Sequence, residues 1–224
     1  MNRQTYRPYN LFTASYNAIP ALVLMCLLLL PVQQINAQET ATVNASANVL
    51  SGVVVEGVQA LDFNNVLRGM TKTVNAEDAA VTVSGGVNPG ANEEQAVFAV
   101  LAEDGTNMTL ELQLPSTVER TDADPIPISF TKEAGGNNFL WASAVNIGEL
   151  ATATRNEFNA IDNSGESPVA TAVITDLSGA SLNAGGVTGN GILVAVGGTV
   201  TPALNQDRGI YVGIITLTAT LNDD

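Results

Sequence analysis

The sequence predicts an all-β protein, a sandwich or a barrel, on three observations. Short runs rich in Val, Ile, Thr, Leu and Phe alternate with clusters of Gly, Asn, Pro and Asp; one run alternates apolar and polar residues strictly; and no segment sustains a helical period for long. Several short strands at such spacing pack as two sheets or close on themselves.

In chain order, the first element is not a strand. Ala18 to Val32, AIPALVLMCLLLLPV, is an apolar run preceded by Arg3 and Arg7 and followed by Ile35-Asn36-Ala37, which ends on a small residue. A basic stretch, an apolar stretch and a small-residue end are what signal peptidase needs, so 1–37 reads as a signal peptide cut after Ala37. As a membrane anchor the run is shorter than the ~20 residues that span a bilayer. Cys26, the one cysteine, lies inside it. A lipidated cysteine needs a small residue before it, and Met25 stands there instead. The mature chain, 38–224, is therefore expected to lack disulfides and to form a single domain held by apolar burial and sheet hydrogen bonds.

The clearest strand is Met108 to Leu114. Met108, Leu110, Leu112 and Leu114 point one way, Thr109, Glu111 and Gln113 the other, and Pro115 ends the run. Burying each of the four apolar side chains stabilises by about 1.5–3 kcal/mol. The same reasoning predicts strands at Thr40 to Val55, Lys72 to Ser84, Ala96 to Ala102, Pro127 to Lys132, Phe139 to Trp141, Val169 to Ile174, Ile192 to Val200 and Ile210 to Leu221. Turn-forming residues separate them at 85–90, 135–138 and 183–191, all rich in Gly and Asn. Leu150 to Ala160 is expected as a short helix, although no residue caps it well.

All 22 acidic residues but only six of the eight basic ones lie beyond Ala37, so the mature net charge is −16. The six cations, Arg68, Lys72, Arg120, Lys132, Arg155 and Arg208, are scattered singly, which argues against nucleic acid as a partner. The acidity reads as a solvated, mutually repelling surface; divalent-cation binding is the alternative, without ligand geometry to support it.

Patterns that carry catalysis fail in turn. The chain has no histidine, which removes the usual triads and the commonest general base and metal ligand. Ser129-Phe130-Thr131-Lys132 has the S-x-x-K spacing, but on a strand, residues three apart face opposite ways, and no Lys-Thr-Gly follows. The pairs Asp122 with Asp124, Glu93 with Glu94, and Glu103 with Asp104 are adjacent carboxylates of an acidic chain rather than a buried acid and base. Glu103-Asp104-Gly105-Thr106-Asn107 lacks the spacing of a calcium loop and reads as a hairpin turn. Asn44-Ala45-Ser46 and Asn107-Met108-Thr109 fit the glycosylation triplet, which arises often by chance. Beyond Ala37 the large polar aromatics are Trp141 and Tyr211, each expected to pack inward rather than to present a sugar platform. No catalytic, cofactor-binding or metal residue is assigned, no cofactor is expected, and the protein reads as non-enzymatic.

From Gly197 the sequence runs GGTVTPALNQDRGIYVGIITLTATL, in which Gly197, Gly198, Thr199, Gln206, Gly209, Tyr211, Gly213 and Thr218 fall in step with the carboxy-terminal signature of DUF4402, a family of exported bacterial proteins. Leu61-Asp62-Phe63-Asn64-Asn65-Val66 resembles that family's L-D-F-G-x-[IV]. Asn64 replaces the usual Gly, and Leu221 the final aromatic. The resemblance brackets most of the mature chain, with no signature between about residues 115 and 190. It implies an immunoglobulin-like antiparallel sandwich without enzymatic activity, distantly similar to spore-coat-U-like and fimbrial subunits. Within the signature, Asp207-Arg208-Gly209 is expected as the turn of a hairpin joining Gly198–Pro202 to a long final strand, with Tyr211 and Leu217 on its buried face and Gly213 at a bulge or a close backbone approach.

Two function classes follow. One is a structural or adhesive subunit of the bacterial cell envelope, fimbria-like, partnered through strand edges by itself or by other envelope proteins. The other is a solitary secreted module whose Gly/Asn-rich loops contact a glycan, a protein or a cation. Both place the protein in the periplasm, at the cell surface or outside the cell, with no membrane span after signal cleavage.

Overall fold

Period-two alternation gives a strand one apolar face, and such faces lower their free energy by packing on one another. The computed structural model describes residues 52–131, 138–159, 167–184 and 186–222. The expected signal peptide, residues 1–37, the first part of the expected strand Thr40–Val55, Lys132 and most of the 135–138 turn lie outside them. The strands are β1 (Val54–Gln59), β2 (Thr71–Val74), β3 (Val81–Ser84), β4 (Ala96–Leu101), β5 (Met108–Gln113), β6 (Thr117–Val118) and β7 (Ile126–Ser129). They continue as β8 (Phe139–Ala142), β9 (Arg155–Glu157), β10 (Val169–Ile174), β11 (Ala180–Ala184), β12 (Val187–Val196), β13 (Gly198–Val200) and β14 (Thr216–Leu221).

All the strand pairs are antiparallel. One sheet runs β1-β4-β12-β8-β9, with β11 also on β12; a second is β10-β5-β14; a third is β3-β2-β13-β7-β6. The inner face of the first sheet, with Val100, Ile192, Val194, Val196 and Phe139, shares one apolar core with Met108, Leu110, Leu112, Ala170, Ala172, Ile174 and Leu217 of the second. The chain is thus an all-β antiparallel sandwich, as its sequence predicts. Residues Met108, Leu110, Leu112 and Leu114 are all buried while Glu111 and Gln113 are exposed, so the alternation sets that strand's faces. Strand β4 and the second half of β12 are apolar without alternation because the outer face of the first sheet is buried too: Val97, Ala99, Leu101, Leu193 and Ala195 share a second apolar cluster with Ala76, Ala144 and Leu150.

Several expected elements differ. Lys72–Ser84 is not one strand but the hairpin β2–β3, turning where Ala79 N–H and Asn75 N–H bond back across residues 75–80. The expected helix Leu150–Ala160 is absent among the described residues. A 3-10 turn at Ile147–Glu149 leads instead into β9, because pairing with β8 satisfies backbone groups that an uncapped helix would leave open. The Gly/Asn-rich 183–191 segment belongs mostly to the β11–β12 hairpin rather than to a loop.

The expected strand Ile192–Val200 breaks at Gly197, where the chain changes sheets. Gly197 N–H donates to the Asn138 carbonyl at 2.8 Å, and the buried Asn138 side chain bonds both Val74 O (2.9 Å) and Ala76 N–H (3.0 Å). The expected carboxy-terminal hairpin is also corrected: β13 pairs with β2 and β7, β14 pairs with β5, and no ladder joins β13 to β14. Asp207–Gly209 therefore lies on a crossing between sheets.

Candidate functional site

Among the described residues, no group of three or more His, Cys, Asp or Glu side chains is placed to hold a metal ion, and no helix is long and apolar enough to cross a membrane. Asp122 and Asp124 are exposed between β6 and β7. Glu103 and Asp104 are exposed at a turn where the Thr106 N–H and hydroxyl both donate to the Glu103 carbonyl. That turn is no hairpin, since β4 and β5 belong to different sheets. Ser129 is exposed beside buried Phe130, and Lys132 lies outside the described residues. Asn107 Oδ1 accepts the Asp176 N–H at 2.9 Å, while the Asn44 triplet lies outside the described residues. Trp141 and Tyr211 are both half-buried against the main core.

Glu93 and Glu94 separate. Glu94 pairs through its backbone with Asp62, N–H to carbonyl both ways at 2.8 and 3.0 Å, which draws the 61–66 segment beside the strand leading into β4. The Glu93 side chain turns inward and forms an ion pair with Lys72, which is fully buried. Lys72 Nζ also donates to the Asn65 carbonyl at 3.0 Å, and Asn88 Nδ2 donates to Glu93 Oε1 at 3.0 Å. The hydrogen bond from Lys72 holds the Glu93 carboxyl below its ordinary pKa, outweighing the desolvation that would raise it. In the sequence, Lys72 reads as one more scattered cation. Its signal is the period: Met70, Lys72, Val74 and Ala76 alternate, and all four are buried.

Exposed apolar side chains gather before β14. Tyr211 is held inward: its hydroxyl donates to the Asp207 carbonyl at 3.0 Å and accepts from Gln206 Nε2 at 2.9 Å, and the buried Gln206 also donates to the Asp124 carbonyl. With Tyr211 and Ile215 packed on the core, the extended chain must present Ile210, Val212 and Ile214 outward, and Ile210 and Ile214 are 84% and 78% exposed. Two glycines permit this path. Gly209 has φ of 152°, where a side chain is strained, and it lies under Arg120, whose guanidinium donates to the Arg208 carbonyl. A Cβ on Gly213 would sit 3.1 Å from the Val118 side chain and 3.2 Å from the Pro115 ring, so side chains and not another backbone come nearest, and Gly213 precedes β14 instead of lying inside it. Val212 exchanges backbone hydrogen bonds with Glu119, both at 2.9 Å. Val212, Gly213 and Ile214 line a groove of about 590 Å3 together with Pro115, Ser116 and Thr117.

Among the described residues, the strand that follows ends its sheet. Among the described strands β14 pairs only with β5, in unbroken register from Thr216 to Leu221. Its sequence, TLTATL, has neither charge nor proline. Native sheet edges are usually blunted by charge, proline or a bulge, and this edge carries none of them. No protein-family model, curated protein or solved structure matches the chain.

Proposed function

We propose that the protein is an exported, non-enzymatic structural subunit of the bacterial cell envelope, which assembles with copies of itself through the outer edge of β14 after removal of residues 1–37. The observation that carries this reading is the uncharged, regular β14 edge continuing from the exposed Ile210, Val212 and Ile214. An added strand would satisfy the backbone groups of that edge and cover apolar side chains that water now touches. The DUF4402 resemblance supports the same role through its exported, fimbria-like relatives.

The test is light scattering on the exported protein across a concentration series, alongside Ala219→Pro. The Asn222 N–H bonds the Asn107 carbonyl opposite it, so by the alternation of an antiparallel ladder Thr216, Thr218 and Thr220 turn their N–H groups to β5 and Ala219 turns its own to the open edge, where the substitution acts. Concentration-dependent oligomers are expected for the parent, and monomers for the variant with its circular dichroism retained. A parent that stays monomeric to millimolar concentration overturns the proposal and leaves the solitary binding module as the better reading.

A further inference from the structure

A lysine with no exposed side-chain surface is expensive to bury as an ion, and this one is held on a carboxylate that also holds a carboxamide. Lys72 Nζ and Asn88 Nδ2 are both on Glu93 Oε1, and the Asn65 carbonyl fixes the amine from another side. On the far side of the carboxamide, Asn88 Oδ1 faces the Gly90 N–H at 3.4 Å. These four contacts supply a nucleophile, a proton carrier, a leaving group, and a donor where negative charge would develop on oxygen. We propose that Lys72 and Asn88 join in an autocatalytic side-chain amide bond, with Glu93 as the proton carrier.

The step balances without an oxidant or co-reactant. The Lys72 ammonium gives one proton to the Glu93 carboxylate, and the lone pair so released forms the Nζ–Cγ bond. Gly90 N–H faces the oxygen as Cγ becomes tetrahedral. The Cγ–Nδ2 bond then breaks with its electron pair on nitrogen. That nitrogen takes the proton held by Glu93 and one shed by Nζ, and departs as ammonium, leaving a secondary amide and the carboxylate restored. Asn88 is only half-buried, so the ammonium has a path to water. Pro89 follows Asn88 and has no N–H, which blocks the usual competing loss of ammonia by attack of the next backbone nitrogen. The product would tie β2 to the loop between β3 and β4, a covalent closure in a chain whose single cysteine permits no internal disulfide.

Peptide mass spectrometry of the folded full-length chain tests this. Trypsin should release Gly69–Arg120 uncut after Lys72 and lighter than its sequence by one ammonia, and a further cut after Glu77 should leave the two halves joined. Glu93→Gln should restore cleavage after Lys72 and the full mass. So should Asn88→Ala, which changes a half-buried loop residue and leaves the buried pair in place. Release of Thr73–Arg120 at full mass from the folded parent overturns the proposal. An ammonia loss that leaves cleavage after Lys72 intact overturns it as well, and a cross-link persisting in Glu93→Gln removes Glu93 from the mechanism.

Discussion

Asn64 has φ of 51°, in the left-handed region that Asn tolerates better than most residues, and its N–H bonds Asp62 Oδ1 at 2.7 Å. Glycine is the other residue that meets this backbone requirement readily; Asn64 meets it and adds an amide that donates to the Ala91 carbonyl at 2.7 Å. At the same scale Glu93 makes a prediction about pH. Its folded pKa is lowered, chiefly by the hydrogen bond from Lys72, so the pair's stabilisation is complete above the ordinary carboxylate pKa and is lost as pH falls through the folded value. The clean comparison is Asn88→Ala against Asn88→Ala/Glu93→Gln, neither of which can form the cross-link. The first should have the higher urea midpoint at pH 7, and the gap should narrow as pH falls below the ordinary carboxylate range. A gap unchanged with pH would mean that the Glu93 charge contributes nothing. Lys72 shows why such a site is hard to read in advance: the alternation says that position 72 is buried, but its partners stand seven and 21 positions away on loops whose approach depends on the Asp62–Glu94 pairing.

Elements were legible where one face is wet. In β5 the alternation alone assigns Leu112 to the core and Glu111 to water, and both are found so. Leu112→Asp should therefore cost at least about 3 kcal/mol by burying an unpaired carboxylate. Glu111→Ala should stay within about 0.5 kcal/mol of the parent. Thermal melts of the two variants check this, and equal melting temperatures would mean that the faces are reversed. Pattern failed where pairing competes with local preference. Residues 155–157 carry little strand signal, yet they become β9 because β8 presents an unpaired ladder beside them. The expected final hairpin failed for a related reason: the exposed apolar positions of 210–214 continue the period of a strand, but the chain there is crossing to another sheet, and among the described residues its backbone pairs with Glu119.

At the scale of the whole molecule, charge and edge oppose each other. The residues beyond Ala37 carry a net charge of −16 and repel those of another copy, whereas β14 offers a neutral edge. Raising ionic strength from about 10 mM to about 0.5 M shortens the Debye length from about 30 Å to only a few ångströms, so assembly through that edge should strengthen with salt. Sedimentation velocity across that range checks it; dissociation in added salt would point to charge pairs as the adhesive contacts. The sequence by itself determined the strand class and the inward face of β5, because side-chain period is a local property of an extended chain. It also determined the scattering of cations and the absence of histidine, since both are matters of composition. Only the tertiary structure decided which strands share a sheet, that β13 and β14 part, that both faces of β4 and of the second half of β12 are buried, and that Lys72, Glu93 and Asn88 meet. Those are long-range contacts, selected by the joint packing of many faces and encoded in no single stretch of the chain.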